Sequence, residues 1–210
     1  MIAPLPPPDI TALLLAGGRG SRMGGVDKGL QPLRGQPLVR HVLERLARQS
    51  VVPAQVAISA NRNLDAYRSL GVDVWPDIAP GFMGPLAGFL TGLTHCSTPL
   101  LLTVPCDVPR FSLSLCERLR HVLLAENAEI AMAAGLDQEG SVRAQPVFCL
   151  LRRELRDSLA HHLETGVRRV ATWTAHHARV IVTFDGPDDD RHAFDNINTP
   201  DQLRAAGDSC

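Results

Sequence analysis

From residue 10 to residue 123 the chain alternates short apolar runs with longer amphipathic ones, and no other feature narrows its fold as much. ITALLLA (10–16) has no polar face, which suits a strand covered on both sides. PLVRHVLERLARQ (37–49) sets Leu38, Val42, Leu43 and Leu46 on one helical face, with Pro37 in the first turn. There follow a strand at AQVAIS (54–59), a short helix at LDAYRSL (64–70), a strand at VDVW (72–75), a helix from Pro85 and a strand at PLLLTV (99–104). A helix from Ser112 then carries Leu115, Cys116, Leu119, Val122 and Leu123 at helical spacing. Such alternation predicts an α/β fold, a mainly parallel central sheet with helices on both faces, which is a three-layer αβα arrangement.

Past residue 126 the alternation loosens. Strands are expected at AEIAMAA (128–134), AQPVFCL (144–150) and ARVIVT (178–183), helical segments between 151 and 175, and a closing helix after Thr199 and Pro200. No repeat or low-complexity linker divides the chain, so residues 10–206 read as one domain behind a tail at 1–9, with DGPDDD (185–190) as a solvated acidic loop. With 45% apolar residues in 210, the domain can bury a continuous core. A formal net charge of −1 excludes a general basic field for nucleic acid or an anionic membrane, so any affinity for anions has to be local. The apolar runs fall far short of the roughly 20 residues that span a bilayer. MIAPLPPPD has prolines where a signal peptide needs a cationic start, which indicates a cytoplasmic protein. Five cysteines (96, 106, 116, 149, 210), an odd number without a CxxC pair, read as buried free thiols.

The first strand runs into LLLAGGRGSRMGGVDKGL (13–30), which holds six glycines, two arginines and a lysine. Backbone N–H groups reach phosphate oxygens where no Cβ obstructs them, so a glycine-rich turn after a strand suggests phosphate recognition. It is not a GxGxxG fingerprint, because Met23 stands at the third glycine position, and it is not a P-loop, because Asp27 precedes Lys28 and Gly29 follows it. Leu15, Ala16, Gly17 and Gly18 leave a flat strand end against which a planar base can lie. Farther on, Arg19, Arg22 and Lys28 can surround a triphosphate, the arginines as forked donors and the lysine as a point charge. Strand-to-helix loops usually take only about 2–6 residues, so a loop this long argues for function.

At these residues the chain resembles the molybdenum cofactor guanylyltransferases, a branch of the wider nucleotidyltransferases. The likeness continues through FMGPLAGF (82–89), TVPCDVPRF (103–111) and FDNINTPDQL (194–203), blocks that span nearly the whole chain. The resemblance implies a Rossmann-like nucleotidyltransferase fold, with a nucleotide-binding half at 10–110 and an acceptor-binding half at 111–206. It implies transfer of GMP from GTP to the terminal phosphate of molybdenum–molybdopterin cofactor, with magnesium, or manganese in its place, as the ion. By position it assigns Leu15, Ala16 and Gly17 to the guanine nucleotide, Lys28 to its phosphates, Asp77 to the nucleoside side and Asp107 to the metal. Asn196 and Asn198, with Arg168 and Arg169 of GVRR (166–169), would receive the pterin substrate. Ser59 in ISANR departs from the family, where relatives often carry asparagine, and leaves open whether this position touches the nucleotide. Transient partners from molybdenum cofactor biosynthesis and molybdoenzyme maturation are also implied.

The residue types suit that chemistry. A phosphate monoester has its second pKa near 6, so at neutral pH the attacking phosphate is already mostly dianionic and needs no general base. The obstacle is repulsion between two anions, and the remedy is positioning by cations and metal. Asp107 follows PLLLTV at a strand's carboxyl end, where ligand sites of parallel sheets gather, and magnesium accepts one or two carboxylates plus substrate oxygens and water. Taken alone, Asp107 also fits a turn residue before the next helix. The glycines of GPLAG (84–88) either permit close helix packing or, at Gly84, let a ribose lie against a helix start. Asn196 and Asn198, two apart in an extended segment, project to one side. Cys106 reads as packing, and the doublets His161–His162 and His176–His177 as solvated faces rather than ligands. Two other functions remain open: the same fold acting with CTP or on a sugar phosphate, and a non-catalytic nucleotide or cofactor binder.

Overall fold

A computed structural model describes residues 9–17, 26–78, 84–137, 139–166, 168–197 and 202–204. Seven strands form one sheet in the order β5-β4-β1-β6-β8-β7-β9. They are β1 (Ile10–Leu15), β4 (Gln55–Ser59), β5 (Asp73–Trp75), β6 (Leu100–Pro105), β7 (Ile130–Leu136), β8 (Val142–Arg152) and β9 (Arg179–Phe184). β1 runs parallel to β4 and β6, β4 to β5 and β7 to β9, while β8 is antiparallel to both its neighbours. The expected mainly parallel sheet is therefore present, and the one reversal comes from the β7–β8 hairpin.

Side-chain alternation along the strands fills a core on each face. Ile10, Ala12 and Leu14 of β1 join the side covered by α1 (Leu38–Ala47), α2 (Leu64–Arg68) and α4 (Leu115–Ala125). Leu13 joins the opposite side, covered by α3 (Pro85–His95), α5 (Arg156–Glu164) and α6 (Val170–Thr174). From β1 the chain moves outward through β4 and β5, then returns by α3 to β6 on the other side of β1. That reversal makes the carboxyl ends of β1 and β6 a topological switch point, where open α/β sheets bind ligands.

Several boundaries differ from expectation. Pro37 does not open the helical turn: it ends a two-residue strand (β3, Gln36–Pro37) paired with β2 (Pro32–Leu33) and stands at the N-cap of α1. The hairpin turn between them is Arg34–Gly35, both at positive φ (52° and 78°), as a tight two-residue turn demands. β8 begins at Val142, before the expected Ala144, because the extension pairs with Ala134–Leu136 of β7. Asp9, placed in the tail by the sequence, is tied down: Arg120 donates to both its carboxylate oxygens at 2.9 and 3.1 Å, and its carbonyl accepts from Leu100 N. Residues 202–204 are helical, where the closing helix was expected. Among the described residues no helix is long and apolar enough to cross a membrane.

Candidate nucleotide site

Four parallel strands end side by side and carry the candidate residues. At the end of β1 the ladder continues one step, with Ala16 N donating to Ser59 O at 2.8 Å and Cys106 N donating to Leu15 O at 3.2 Å. Leu15, Ala16 and Gly17 thus lie between the ends of β4 and β6. A methyl group at Gly17 would stand 3.2 Å from Asn61 Nδ2, and one at Gly88 in α3 would stand 2.6 Å from Leu15 Cδ2 and 3.1 Å from Ser59 Oγ. The second glycine of GPLAG is therefore a packing glycine that lets α3 close on the strand ends. Gly84 differs from it: at φ 124° it is the N-cap of α3, and a Cβ there would come 4.0 Å from the Arg168 carbonyl.

Asp77, just past β5, is held from two sides. Asn61 Nδ2 donates to Asp77 Oδ2 at 2.8 Å while Asp77 N donates to Asn61 Oδ1 at 2.9 Å, and Ser59 Oγ donates to Asp77 Oδ1 at 3.3 Å. Ser59 is 2% exposed, so what its hydroxyl reaches is the aspartate. Asn61 had no place in the sequence reading, although it sits between Gly17 and Asp77. Only its position two residues past a strand end hinted at it.

Across β1 from these groups, Lys28 Nζ lies 2.7 Å from Asp107 Oδ2, with side-chain exposures of 23% and 17%. Lys28 opens a 3-10 turn (Lys28–Leu30) beyond the glycine loop, and Asp107 follows β6, so residues 79 apart in sequence meet at the switch point. The Asp107 carbonyl accepts from Ile197 N at 2.9 Å, which brings Asn196 and Ile197 beside the metal candidate, with Asn196 exposed. Arg168 and Arg169 are exposed before α6, Arg168 being the one near Gly84. Gly18, Arg19, Arg22 and Asn198 lie outside the described residues.

The donor set at Asp107 suits a hard divalent cation. Among the described residues its carboxylate has hydrogen-bond partners only on Oδ2, and no group of three or more His, Cys, Asp or Glu stands in ligand geometry. With a single carboxylate beside a lysine, water and, when a nucleotide is bound, phosphate oxygens would complete the shell of magnesium or manganese. Cys106, buried next door, has its thiol pushed well above the ordinary range by burial and then by Asp107 and Asp27, so it is a packing residue and not a nucleophile. The histidine doublets differ from solvated faces in part. His162 and His176 rings approach to 6.1 Å, His162 Nε2 is buried with no hydrogen-bond partner, and His177 Nε2 pairs with Ser158 Oγ at 2.9 Å. α5 and α6 fold back on each other and bring the doublets together, which adjacent-residue spacing does not show.

Fold and site together define an α/β protein of the nucleotide-binding class, in which a lysine and a carboxylate meet at the switch point of a doubly wound sheet. A family model, the MobA-like NTP transferase domain, matches residues 12–180, and the chain belongs to that family of nucleotidyltransferases. It is 55% identical over 203 residues to the molybdenum cofactor guanylyltransferase of Albidiferax ferrireducens, covering 95% of this chain and 96% of that one. In fold it matches molybdopterin-guanine dinucleotide biosynthesis protein A from Archaeoglobus fulgidus at a TM-score of 0.75 and 21% identity, over 94% and 96% of the two chains. A Mycobacterium tuberculosis protein solved in complex with manganese matches at 0.64 and 18% identity, over 96% and 100%.

Proposed function

We propose that the protein transfers GMP from GTP to the terminal phosphate of molybdenum cofactor. An acceptor phosphate oxygen forms a bond to the α-phosphorus, the bond from that phosphorus to the bridging oxygen breaks, and pyrophosphate leaves with the electron pair. The observation that carries this reading is the Lys28–Asp107 pair at the joined ends of β1 and β6. It offers one cation to phosphate and one carboxylate to a divalent ion at the place where the fold collects ligands.

The chain's own residues divide the work. The flat end Leu15–Gly17 receives the base, and Asp77, oriented by Asn61 and Ser59, holds the nucleoside side. Lys28, with Arg19 and Arg22 of the loop, neutralises the triphosphate. Arg168, Arg169, Asn196 and Asn198 receive the acceptor. Magnesium or manganese bound at Asp107 would screen the approaching anions and stabilise charge on the leaving oxygens. No proton need be removed from the nucleophile, because a phosphate monoester with its second pKa near 6 is already mostly dianionic at neutral pH. A cytoplasmic setting supplies GTP and reducing conditions, which suit the four free buried cysteines among the described residues.

The test is pyrophosphate release with molybdenum cofactor, magnesium and each of GTP, CTP, ATP and UTP in parallel. Release with GTP alone is expected. Release with CTP alone would move the protein to cytidylyl transfer, and none with any nucleotide would leave a binder.

A further inference from the structure

Lys28 is fixed at its head by Asp107, and a second, buried network fixes it at its root. Asp27, the preceding residue, is only 8% exposed. Its Oδ1 accepts the Tyr67 hydroxyl at 2.5 Å and its Oδ2 accepts Asn63 Nδ2 at 3.0 Å. Its main-chain oxygen accepts Leu30 N and Gln31 Nε2, both at 3.3 Å. Among the described residues both side-chain hydrogen-bond donors to this buried carboxylate are neutral, an expensive choice where an apolar contact could close the same gap. Both oxygens are occupied, which leaves Asp27 unsuited to ligate a metal.

The surroundings are shaped for this contact. Tyr67, the only tyrosine in the chain, is fully buried on α2. Burial, then its bond to Asp27, hold the phenol far above its ordinary range, so it donates throughout the working pH range. Asn63 adopts the left-handed region (φ 51°) at the N-cap of α2, yet its amide caps nothing in that helix and goes to Asp27 instead. A Cβ at Gly29 would lie 2.6 Å from the Tyr67 hydroxyl, so the turn passes the phenol only because the residue after Lys28 is glycine. Four local choices, one charged, one aromatic, one at positive φ and one without a side chain, converge one residue from the phosphate lysine.

We propose that Asp27, clamped by Tyr67 and Asn63, is a positioning residue that fixes the backbone from which Lys28 reaches the nucleotide's phosphates. The lysine stem has four rotatable carbons, and its head finds one point with little entropy loss only if its root does not move. The inference rests on the assignment of Lys28 to phosphate made above.

The test is a double-mutant cycle read by calorimetry of magnesium–GTP binding and by thermal melting, on the full chain with Asp27→Asn, Lys28→Ala and the double variant. Asp27→Asn should weaken GTP binding about tenfold when Lys28 is present, the loss of one charge-assisted hydrogen bond. On the Lys28→Ala background it should change binding less than about twofold, while the melting temperature falls equally on both. A merely structural Asp27 predicts a lower melting temperature with GTP binding unchanged, or the same loss on both backgrounds; either result overturns the proposal. If Lys28→Ala itself leaves GTP binding intact, the phosphate assignment and the proposal fall together, and that outcome is visible in the single variant. Should Asp27→Asn not fold, Tyr67→Phe runs the same cycle, with about a threefold loss expected only in the presence of Lys28.

Discussion

Lys28→Ala should make the nucleotide-free protein bind a divalent metal more tightly, although it weakens binding of the metal–nucleotide complex. In the ligand-free fold Lys28 Nζ lies 2.7 Å from Asp107 Oδ2, so a cation arriving alone must displace the ammonium. Unit charges at that distance attract by roughly 6 kcal/mol at an effective dielectric of about 20, before desolvation is subtracted. Exposed pairs retain about 0–1 kcal/mol net, and losing one partner of a fully buried pair costs about 3–5 kcal/mol. With 23% and 17% of the two side chains exposed, an intermediate value of about 2 kcal/mol applies, or roughly 30-fold in affinity. A nucleotide bound at Lys28 would remove this competition by offering phosphates to the ammonium and oxygens to the metal together. Manganese titration followed by the electron paramagnetic resonance of the free ion measures both arms. Expected are tighter manganese binding by Lys28→Ala without nucleotide, weaker binding with GTP, and loss of the nucleotide-free site in Asp107→Asn. Equal nucleotide-free affinities for native protein and Lys28→Ala would refute the competition, as would binding that survives Asp107→Asn.

Three further outcomes are expected. Asp107→Asn should abolish pyrophosphate release while moving the melting temperature by only a few degrees, since its carboxylate is partly exposed and contacts one side chain among the described residues; turnover at the native rate would remove it from the site. Gly29→Ala should cost about 2 kcal/mol by thermal or urea unfolding and weaken GTP binding, because the new methyl group meets the Tyr67 hydroxyl at 2.6 Å and drives it off Asp27; native stability would show that the turn has room. Burial, then the neighbouring His176, His177 and His161, lower the His162 imidazole below its ordinary value of 6.5, so the folded protein binds that proton less readily than the unfolded chain. Stability owed to the neutral ring is complete above about pH 6.5 and is lost as pH falls from there toward the folded value. Glu129 and Glu164, at 3.4 Å from His177 and 3.6 Å from His161, offset the repulsion only in part. The native melting temperature should therefore fall more than that of His162→Gln between about pH 7 and pH 5.5, and parallel curves would exclude the effect.

What was legible in the sequence was whatever a single segment encodes. β1, β4 and β6 announced themselves as apolar runs, and Asp107 and the Leu15–Gly17 end drew notice because they stand where such runs stop. The Arg34–Gly35 hairpin stayed hidden because arginine takes a left-handed position usually given to asparagine or glycine. Asn61, Asp27 and Tyr67 stayed hidden for a different reason. Asp27 and Tyr67 are 40 residues apart, and their meeting depends on how α2 lies on the sheet. Tyr67 read simply as one residue of a short amphipathic helix. Adjacent spacing in the histidine doublets describes one helix and says nothing of a second folded back on it.

The distance between Lys28 and Asp107 is ultimately a property of the core. β1 and β6 pair in parallel from Ile10↔Leu100 to Leu15↔Pro105, so Ile10, Ala12 and Leu14 stand beside Leu100, Leu102 and Val104 in one apolar cluster. A slip of one residue would carry Asp107 about 3.3 Å along the strand. It would also turn Leu100, Leu102 and Val104 out of that cluster and Leu101 out of the opposite one. The second consequence is far too costly to occur, and so the first does not occur either. Apolar alternation that reads as a requirement of folding therefore also sets the reach between Lys28 and Asp107, and the proposed Asp27 clamp serves Lys28, which stands outside that register, on a turn.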